Sequence, residues 1–586
     1  MRVILLTLGF VLLQLTAVAN DQPNVVVFLT DDQGWGDLSI HGNTNLSTPN
    51  IDSLAEQGAA FNQFFVCAVC APTRAEFLTG RYHPRTGVSG VSQGSERLNP
   101  DETTIADLFK AAGYATGAFG KWHNGTQAPY HPNYRGFEEY YGFTSGHWGH
   151  YFSPPLDHNG KPVRGKGYVV DDFTDHAIRF IQENRDQPFF CYIPYNTPHS
   201  PMYVPDRFFD KFDGVDPEMR HRDPKKEDVS WTRAALAMCE NIDWNVGRVL
   251  KTLDELKLSD NTIVVFFCDN GPNSWRWNGG FKGKKGSIDE GGVRSPLFIR
   301  WPGQIPEGSK IKQVSGAIDL LPTLAELTDI PADGGKPIDG ISLARELKGH
   351  PELKSERAIF SIRAMGGTPT VSIRTNRWRL DNDGHLFDMA KDPGQKTDVA
   401  ESHKKLASRL LKQANEHKRE MVELVEANAD RPFTVGYAKH TTLPARDGIE
   451  HGNIQRSVRS PNNSFFKNWT SKDDSITWSV DVVNAGTYEA IVYYTCADGD
   501  EGAVIRLGMD GGKYAQARVT EAWDPPLYDK SMERVADSHY FMKDWKPLSL
   551  GKLKLEKGHG ILRLGSRDIK SSRVIDTIGV ELIRVD

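Results

Sequence analysis

Two runs in this chain are apolar from end to end and stop at acids. Asn24-Val-Val-Val-Phe-Leu-Thr30 runs into Asp31-Asp32, and Thr262-Ile-Val-Val-Phe-Phe267 runs through Cys268 into Asp269-Asn270. A strand with no polar face must be covered on both sides, which predicts the middle of a mostly parallel sheet flanked by helices. The segments between agree. Phe173, Ala177, Phe180 and Ile181 share one helix face, and Ser230–Leu258 carries Ala234, Met238, Ile242, Val246, Val249 and Leu253 at helical spacing. Tyr114–Gly120 and Phe189–Ile193 read as further strands, and Thr104–Ala112 as a helix. An α/β domain is therefore predicted over 23–330. Beyond Pro322 the pattern shifts. Strand candidates at Ala358–Arg363 and Thr370–Arg374, followed by a helical segment from Glu401 to Leu424, predict a small α+β subdomain over 331–440. From 445 to 586 helical periodicity is lost, and short alternating strands between Gly and Asp turns predict an appended β-sandwich.

The amino terminus predicts export. Arg2, the mostly apolar run Val3–Leu15 and Ala17-Val18-Ala19 form a secretory signal over 1–19, cleaved after Ala19 into the periplasm or outside the cell. No later run reaches the length of a membrane span, so no integral membrane association is expected. With 70 Lys and Arg against 76 Asp and Glu the formal charge is −6, which excludes binding to nucleic acid through bulk charge. An anionic substrate must be met by local cations.

Ligands of open α/β sheets bind beyond the carboxyl ends of strands, so the two acidic strand ends are expected to converge. Adjacent carboxylates repel, and Asp31, Asp32, Asp269 and Asn270 together make an oxygen-only set suited to a hard cation such as calcium or magnesium. Taken singly, each pair reads as a turn cap before it reads as a ligand pair. Cys67-Ala-Val-Cys70 has the C-x-x-C spacing of redox or zinc sites, but no second pair completes a zinc site. Cys70 precedes a helical segment, where free amide donors and the helix dipole favour an anion, and Arg74 lies one turn further on.

Cys70-Ala-Pro-Thr-Arg74 followed by Leu78-Thr79-Gly80-Arg81 resembles the signature of type I, formylglycine-dependent sulfatases of the alkaline-phosphatase-like superfamily. The resemblance spans about 25–400 and continues in order. Its further blocks are Asp31-Asp32-Gln33-Gly34-Trp35-Gly36-Asp37, Gly120-Lys121-Trp122-His123, Thr197-Pro198-His199-Ser200-Pro201, Asp269-Asn270-Gly271, Lys285-Gly286, Glu290–Pro296 and Leu386-Phe387-Asp388 with Asp392-Pro393. It implies an arylsulfatase-like sulfuric ester hydrolase. Cys70 is matured to formylglycine by a dedicated enzyme, its hydrate attacks sulfur, and a covalent sulfo-enzyme intermediate forms. By the same resemblance one Ca2+, with Mg2+ less suited, is held by Asp31, Asp32, residue 70, Asp269 and Asn270. Asp269 is the base for attack, and Arg74, Lys121 and Lys285 surround the sulfate. His199 with Lys285 protonates the leaving oxygen, and His123 deprotonates the remaining hydroxyl. Thr73 departs from the usual Ser or Ala, and nothing in the family core accounts for the last domain. A phosphonate or phosphate ester hydrolase of the same superfamily and a non-catalytic sugar-binding protein are the alternatives; a thiol-redox protein leaves Arg74 and the acids without a role.

A sulfated polysaccharide or oligosaccharide is the expected substrate. His147, Trp148, His150, Trp275, Arg276 and Trp277 lie in loops near the expected pocket and are candidates for sugar contact or for packing. Trp469, Trp478 and Trp523 in the sandwich either stack on carbohydrate or fill its core.

Overall fold

The computed structural model describes residues 22–350, 356–365, 367–536 and 539–586. The predicted signal segment lies outside the described residues. Five strands form the parallel heart of a ten-stranded sheet: β1 (Asn24–Thr30), β2 (Ala115–Lys121), β3 (Glu139–Phe143), β4 (Phe189–Pro194) and β5 (Thr262–Cys268). Their spatial order is β3-β2-β4-β1-β5, with Val26 opposite both Cys191 and Val264. Antiparallel strands extend both sides, Leu297–Arg300 next to β5 and Pro155–His158 next to β3.

Side chains of β1 alternate between two cores, as strand geometry requires. Val26 and Phe28 pack with Met238, Ile242 and Val246 of one layer; Val25, Val27 and Leu29 pack with Phe77 and Leu78 of the other. Each such side chain contributes roughly 1.5–3 kcal/mol by leaving water. The helices that carry these layers are α1 (Cys70–Thr79), α2 (Val169–Glu183) and α3 (Val229–Glu255). The Asp228 carboxylate caps α3 by accepting from the Trp231 N–H, and the helix stops short of the expected Leu258 because Lys257 turns left-handed at φ 59°.

The smaller sheet is four-stranded and antiparallel, from Ile359–Arg363 to Leu386–Asp388, with the helix Lys404–Ala427 laid on it through Leu410 and Ala414. The last domain is a sandwich of two six-stranded sheets over one core that includes Val480, Tyr488, Val492, Leu564 and Leu582. It recruits two strands that precede the expected boundary at 445. Phe433–Val435 pairs with Ser475–Val482, and His440–Pro444 pairs with Asp576–Arg584. Of the three sandwich tryptophans, Trp469 and Trp478 are core residues at 2% and 1% exposure, their indole N–H groups donated to the Ser471 and Pro444 carbonyls. Trp523 alone of the three reaches solvent. Among the described residues no helix is long and apolar enough to cross a membrane.

Candidate active site

The carboxyl ends of β1 and β5 are hydrogen-bonded neighbours, so Asp31, Asp32, Asp269 and Asn270 arrive at one point, all at 0% exposure. Asp32 holds a left-handed backbone at φ 66°, a conformation an Asp tolerates better than most residues. Cys70 is the first residue of α1, buried beside this cluster. Asp31, Cys70 and Asp269 offer ligand atoms within 4.8 Å of one another, as do Asp31, Asp32 and His199.

Each acid of the β1 pair gives one oxygen to a lysine. Lys121 Nζ lies 2.5 Å from Asp31 Oδ2, and Lys285 Nζ lies 2.6 Å from Asp32 Oδ1, which also accepts from Asn270 Nδ2 at 2.8 Å. The other oxygens are left over: Asp31 Oδ1, Asp32 Oδ2 and Asn270 Oδ1 are buried without a hydrogen-bond partner. Orphaned buried acceptors are costly, and three oxygens of two carboxylates and an amide fit a hard cation. Three of the five expected ligands, Asp31, Asp32 and Asn270, thus offer free oxygens of the kind a hard cation takes, while both Asp269 oxygens are engaged, Oδ2 by Arg74 and Oδ1 by the Asp32 N–H at 3.3 Å.

Burial pushes Asp269 up to about 7, with Asp31 adding to the effect. Burial also pushes on Asp32, but the charges of His199 and Lys285 outweigh it and hold that carboxyl well below the usual range. Arg74 faces the acids. Its guanidinium donates to Asp269 Oδ2 at 2.9 and 3.2 Å and to the Lys121 carbonyl at 2.6 Å. The Thr73 hydroxyl, the departure from the family pattern, donates to the Asp269 carbonyl at 2.5 Å and accepts from the Cys67 N–H at 2.9 Å, tying α1 to β5. Burial raises the thiols of Cys67 and Cys70, the reverse of what a redox-active or thiolate nucleophile needs.

Three histidines surround the cluster. His199 Nε2 lies 3.6 Å from Asp32 Oδ2. His123, left-handed at φ 68°, places Nε2 at 2.9 Å from the Val91 carbonyl and leaves Nδ1 without a partner. His147 stacks on His199 with centroids 5.5 Å apart. Burial lowers the basicity of all three.

The loop candidates divide. His147 is in the site, and Trp275 lines an open groove next to it together with Lys285. Arg276 is elsewhere: at 1% exposure it is paired with Asp37 at 2.6 Å and donates to the Asp32 carbonyl at 3.0 Å, bracing the loop that carries the acids. Trp277 packs on Gly36, where a Cβ would come within 2.9 Å of its ring. His150 has Nδ1 on the Phe152 carbonyl and Nε2 on the Asp529 carbonyl, each at 2.9 Å, so it anchors the sandwich. Trp148 stacks on Phe143.

Sequence reading missed the contribution of the last domain. Tyr540 reaches back to share a hydrogen bond with Ser200 at 2.7 Å and meets the His147 ring edge-on at 5.1 Å. Asn462 accepts from Ser145 through its carbonyl, and its side chain and His123 both crowd Gly146; a Cβ there would meet Asn462 Nδ2 at 2.2 Å and His123 Nε2 at 2.4 Å. These residues lie hundreds of positions from their partners and carry no local signal.

Acids at adjacent strand ends, lysines on them and a helix start beside them make a site suited to a hard cation and an anionic substrate. Residues 23–330 match the Sulfatase family model. The chain is 30% identical over 440 residues to N-acetylgalactosamine-6-sulfatase of Canis lupus familiaris, covering 67% of this chain and 80% of that protein. It is 29% identical over 435 residues to steryl-sulfatase of Mus musculus, covering 58% and 67%. A solved structure of Ps i-CgsB in complex with k-i-k-neocarrahexaose superposes with a TM-score of 0.61 at 29% identity, covering 68% of this chain and 93% of that one. The chain belongs to the sulfatase family and is a sulfuric ester hydrolase.

Proposed function

We propose that this protein is an exported, formylglycine-dependent sulfatase that removes sulfate esters from a sulfated polysaccharide or oligosaccharide. The observation that carries the reading is the set of three orphaned oxygens beside Cys70, with one lysine on each acid of the β1 pair. Asp31, Asp32, Asp269 and Asn270, with residue 70, would hold Ca2+; an oxygen-rich cage suits it better than Mg2+, which keeps more of its water. When bound, the ion stabilises negative charge developing at the reacting centre, and formylglycine installed at position 70 supplies the oxygen nucleophile.

The chain's own groups do the rest. Arg74, bonded twice to Asp269, fixes that carboxylate as the base that takes the attacking proton. Arg74, Lys121 and Lys285, each against one acid of the cluster, are the three cations that surround the sulfate. His199 gives its proton to the leaving oxygen with Lys285 beside it, while His123 accepts the proton of the remaining hydroxyl as sulfate departs. His147, stacked on His199, holds that ring in place. The neocarrahexaose in the related complex and the amino-sugar sulfate named in N-acetylgalactosamine-6-sulfatase support the substrate class. The test is release of sulfate by the matured enzyme from sulfated oligosaccharides and an aryl sulfate, against phosphate and phosphonate esters of the same alcohol. Faster turnover of the phosphonate ester would transfer the protein to the alternative class.

A further inference from the structure

An open groove of ≈ 830 Å³ adjoins the catalytic cluster, within the range of ligand sites, roughly 300–1,000 Å³. Six cations line it, Arg222, Lys226, Lys282, Lys284, Lys285 and Lys396, against two carboxylates, Asp223 and Asp289. In a chain of formal charge −6 this is a local inversion. The two acids are already engaged, Asp223 with Lys226 at 3.7 Å and Asp289 with Lys282 at 3.5 Å and Arg379 at 3.4 Å. Arg222 donates to the Gly394 carbonyl at 2.7 Å and Lys284 to the Asn273 carbonyl at 2.9 Å. Neither the side chains of these two nor the ammonium of Lys396 is ion-paired with a carboxylate among the described residues, although the Lys396 backbone N–H donates to Asp392 at 2.6 Å. Lys284 is half-buried, and burial lowers its pKa, a cost that an anion in the groove would remove.

The groove is continuous with the chemistry through Lys285, whose Nζ holds Asp32 while its chain forms the groove wall. Trp275 supplies a flat apolar surface, with Lys226 and Lys284 each 5.4 Å from its ring centre and His221 at 4.9 Å. Sugar rings pack on such faces while their charged substituents seek cations. Resting on the sulfatase reading above, we propose that this groove is a subsite for a second anionic group, sulfate or carboxylate, on a sugar next to the one being desulfated. The preferred substrate is then a multiply charged oligosaccharide.

The test uses the full-length, matured, calcium-loaded enzyme and three oligosaccharides with the same target sulfate, whose neighbouring sugar is neutral, sulfated or carboxylated. An anionic neighbour is expected to raise kcat/KM about tenfold or more, mainly through KM, with an advantage that shrinks as salt rises. Whichever anion gains more identifies the natural group. The double variant Lys226→Ala, Lys396→Ala should collapse the ratio between charged and neutral neighbours. Equal kcat/KM for all three in the wild type, with sulfate still released, would overturn the subsite and leave the sulfatase standing. A double variant that slows all three alike would place the lysines in folding and count against the subsite. No release from any of them, nor from an aryl sulfate, would remove the underlying reading instead.

Discussion

Glu76 lies on α1, six residues from Cys70, at 5% exposure, and burial pushes its carboxyl up to about 8 from 4.5, with Asp339 and Asp319 adding to the rise. The native protein therefore keeps a proton on Glu76 that the unfolded chain has lost above pH 4.5. A carboxyl raised in the folded state stabilises fully below its unfolded pKa, and that stability is lost as pH climbs through its folded pKa. Between pH 5 and pH 8 the two-pKa linkage amounts to about 3 kcal/mol. Glu76→Gln removes the titration and keeps an acceptor for the His83 N–H, which now lies 3.3 Å from Glu76 Oε1. Its thermal midpoint, read by scanning fluorimetry or calorimetry, should gain on the wild type by roughly 4 °C more at pH 8 than at pH 5. Comparing the two pH values cancels any fixed effect of the amide. A wild-type-to-variant difference that is the same at both would refute the argument, because it would mean Glu76 is ionised and compensated in the native state.

Other consequences follow from the geometry. His199→Ala should cut kcat on a sugar sulfate by about 10²–10⁴-fold, and less on an aryl sulfate whose leaving group needs no proton, checked by steady-state kinetics. On the proposed Ca2+ reading, a chelator should abolish turnover and lower the thermal midpoint, since Asp31 and Asp32 then keep buried oxygens without partners. Added Ca2+ should restore both, by about 2.7 kcal/mol of stability at a hundredfold excess over Kd, and Mg2+ should restore less. Trp478→Ala should cost about 3–5 kcal/mol and melt the sandwich early in calorimetry, whereas the same change at half-exposed Trp523 should cost far less. Tyr540→Phe deletes the bond to Ser200 and should raise KM for oligosaccharides while leaving the fold's circular dichroism unchanged.

The central sheet was legible because β1 and β5 are buried on both faces, and only continuous apolar sequence tolerates that. Helix α3 was legible for the opposite reason, one apolar stripe on a long amphipathic surface. Helix α1 had neither signal, since all ten of its residues are buried and no stripe exists; a helical segment is expected just after Cys70, and the helix in fact begins at Cys70 itself. The acids were visible as strand ends, but their convergence depends on β1 and β5 being neighbours, which no local pattern encodes. Arg276, open in the sequence between sugar contact and packing, falls on the packing side because Asp37, more than two hundred residues earlier, pairs with it. The sandwich start was placed late because three residues, Phe433–Val435, are too few to show alternation. Tyr540 and Asn462 were invisible for the same reason as Asp37: their partners are distant in sequence, and the interface is specified by the packing of whole domains.

The central claim is that residue 70 carries the nucleophile of a sulfate ester hydrolase. It is tested most directly by mass spectrometry of the peptide containing position 70, from protein made with the maturation enzyme present, alongside sulfate release by the same sample. The account predicts the mass of an aldehyde or its hydrate in place of the thiol, and turnover in proportion to the matured fraction. Full turnover from protein whose Cys70 is entirely unmodified, or none from protein that is fully matured and calcium-loaded, would contradict it.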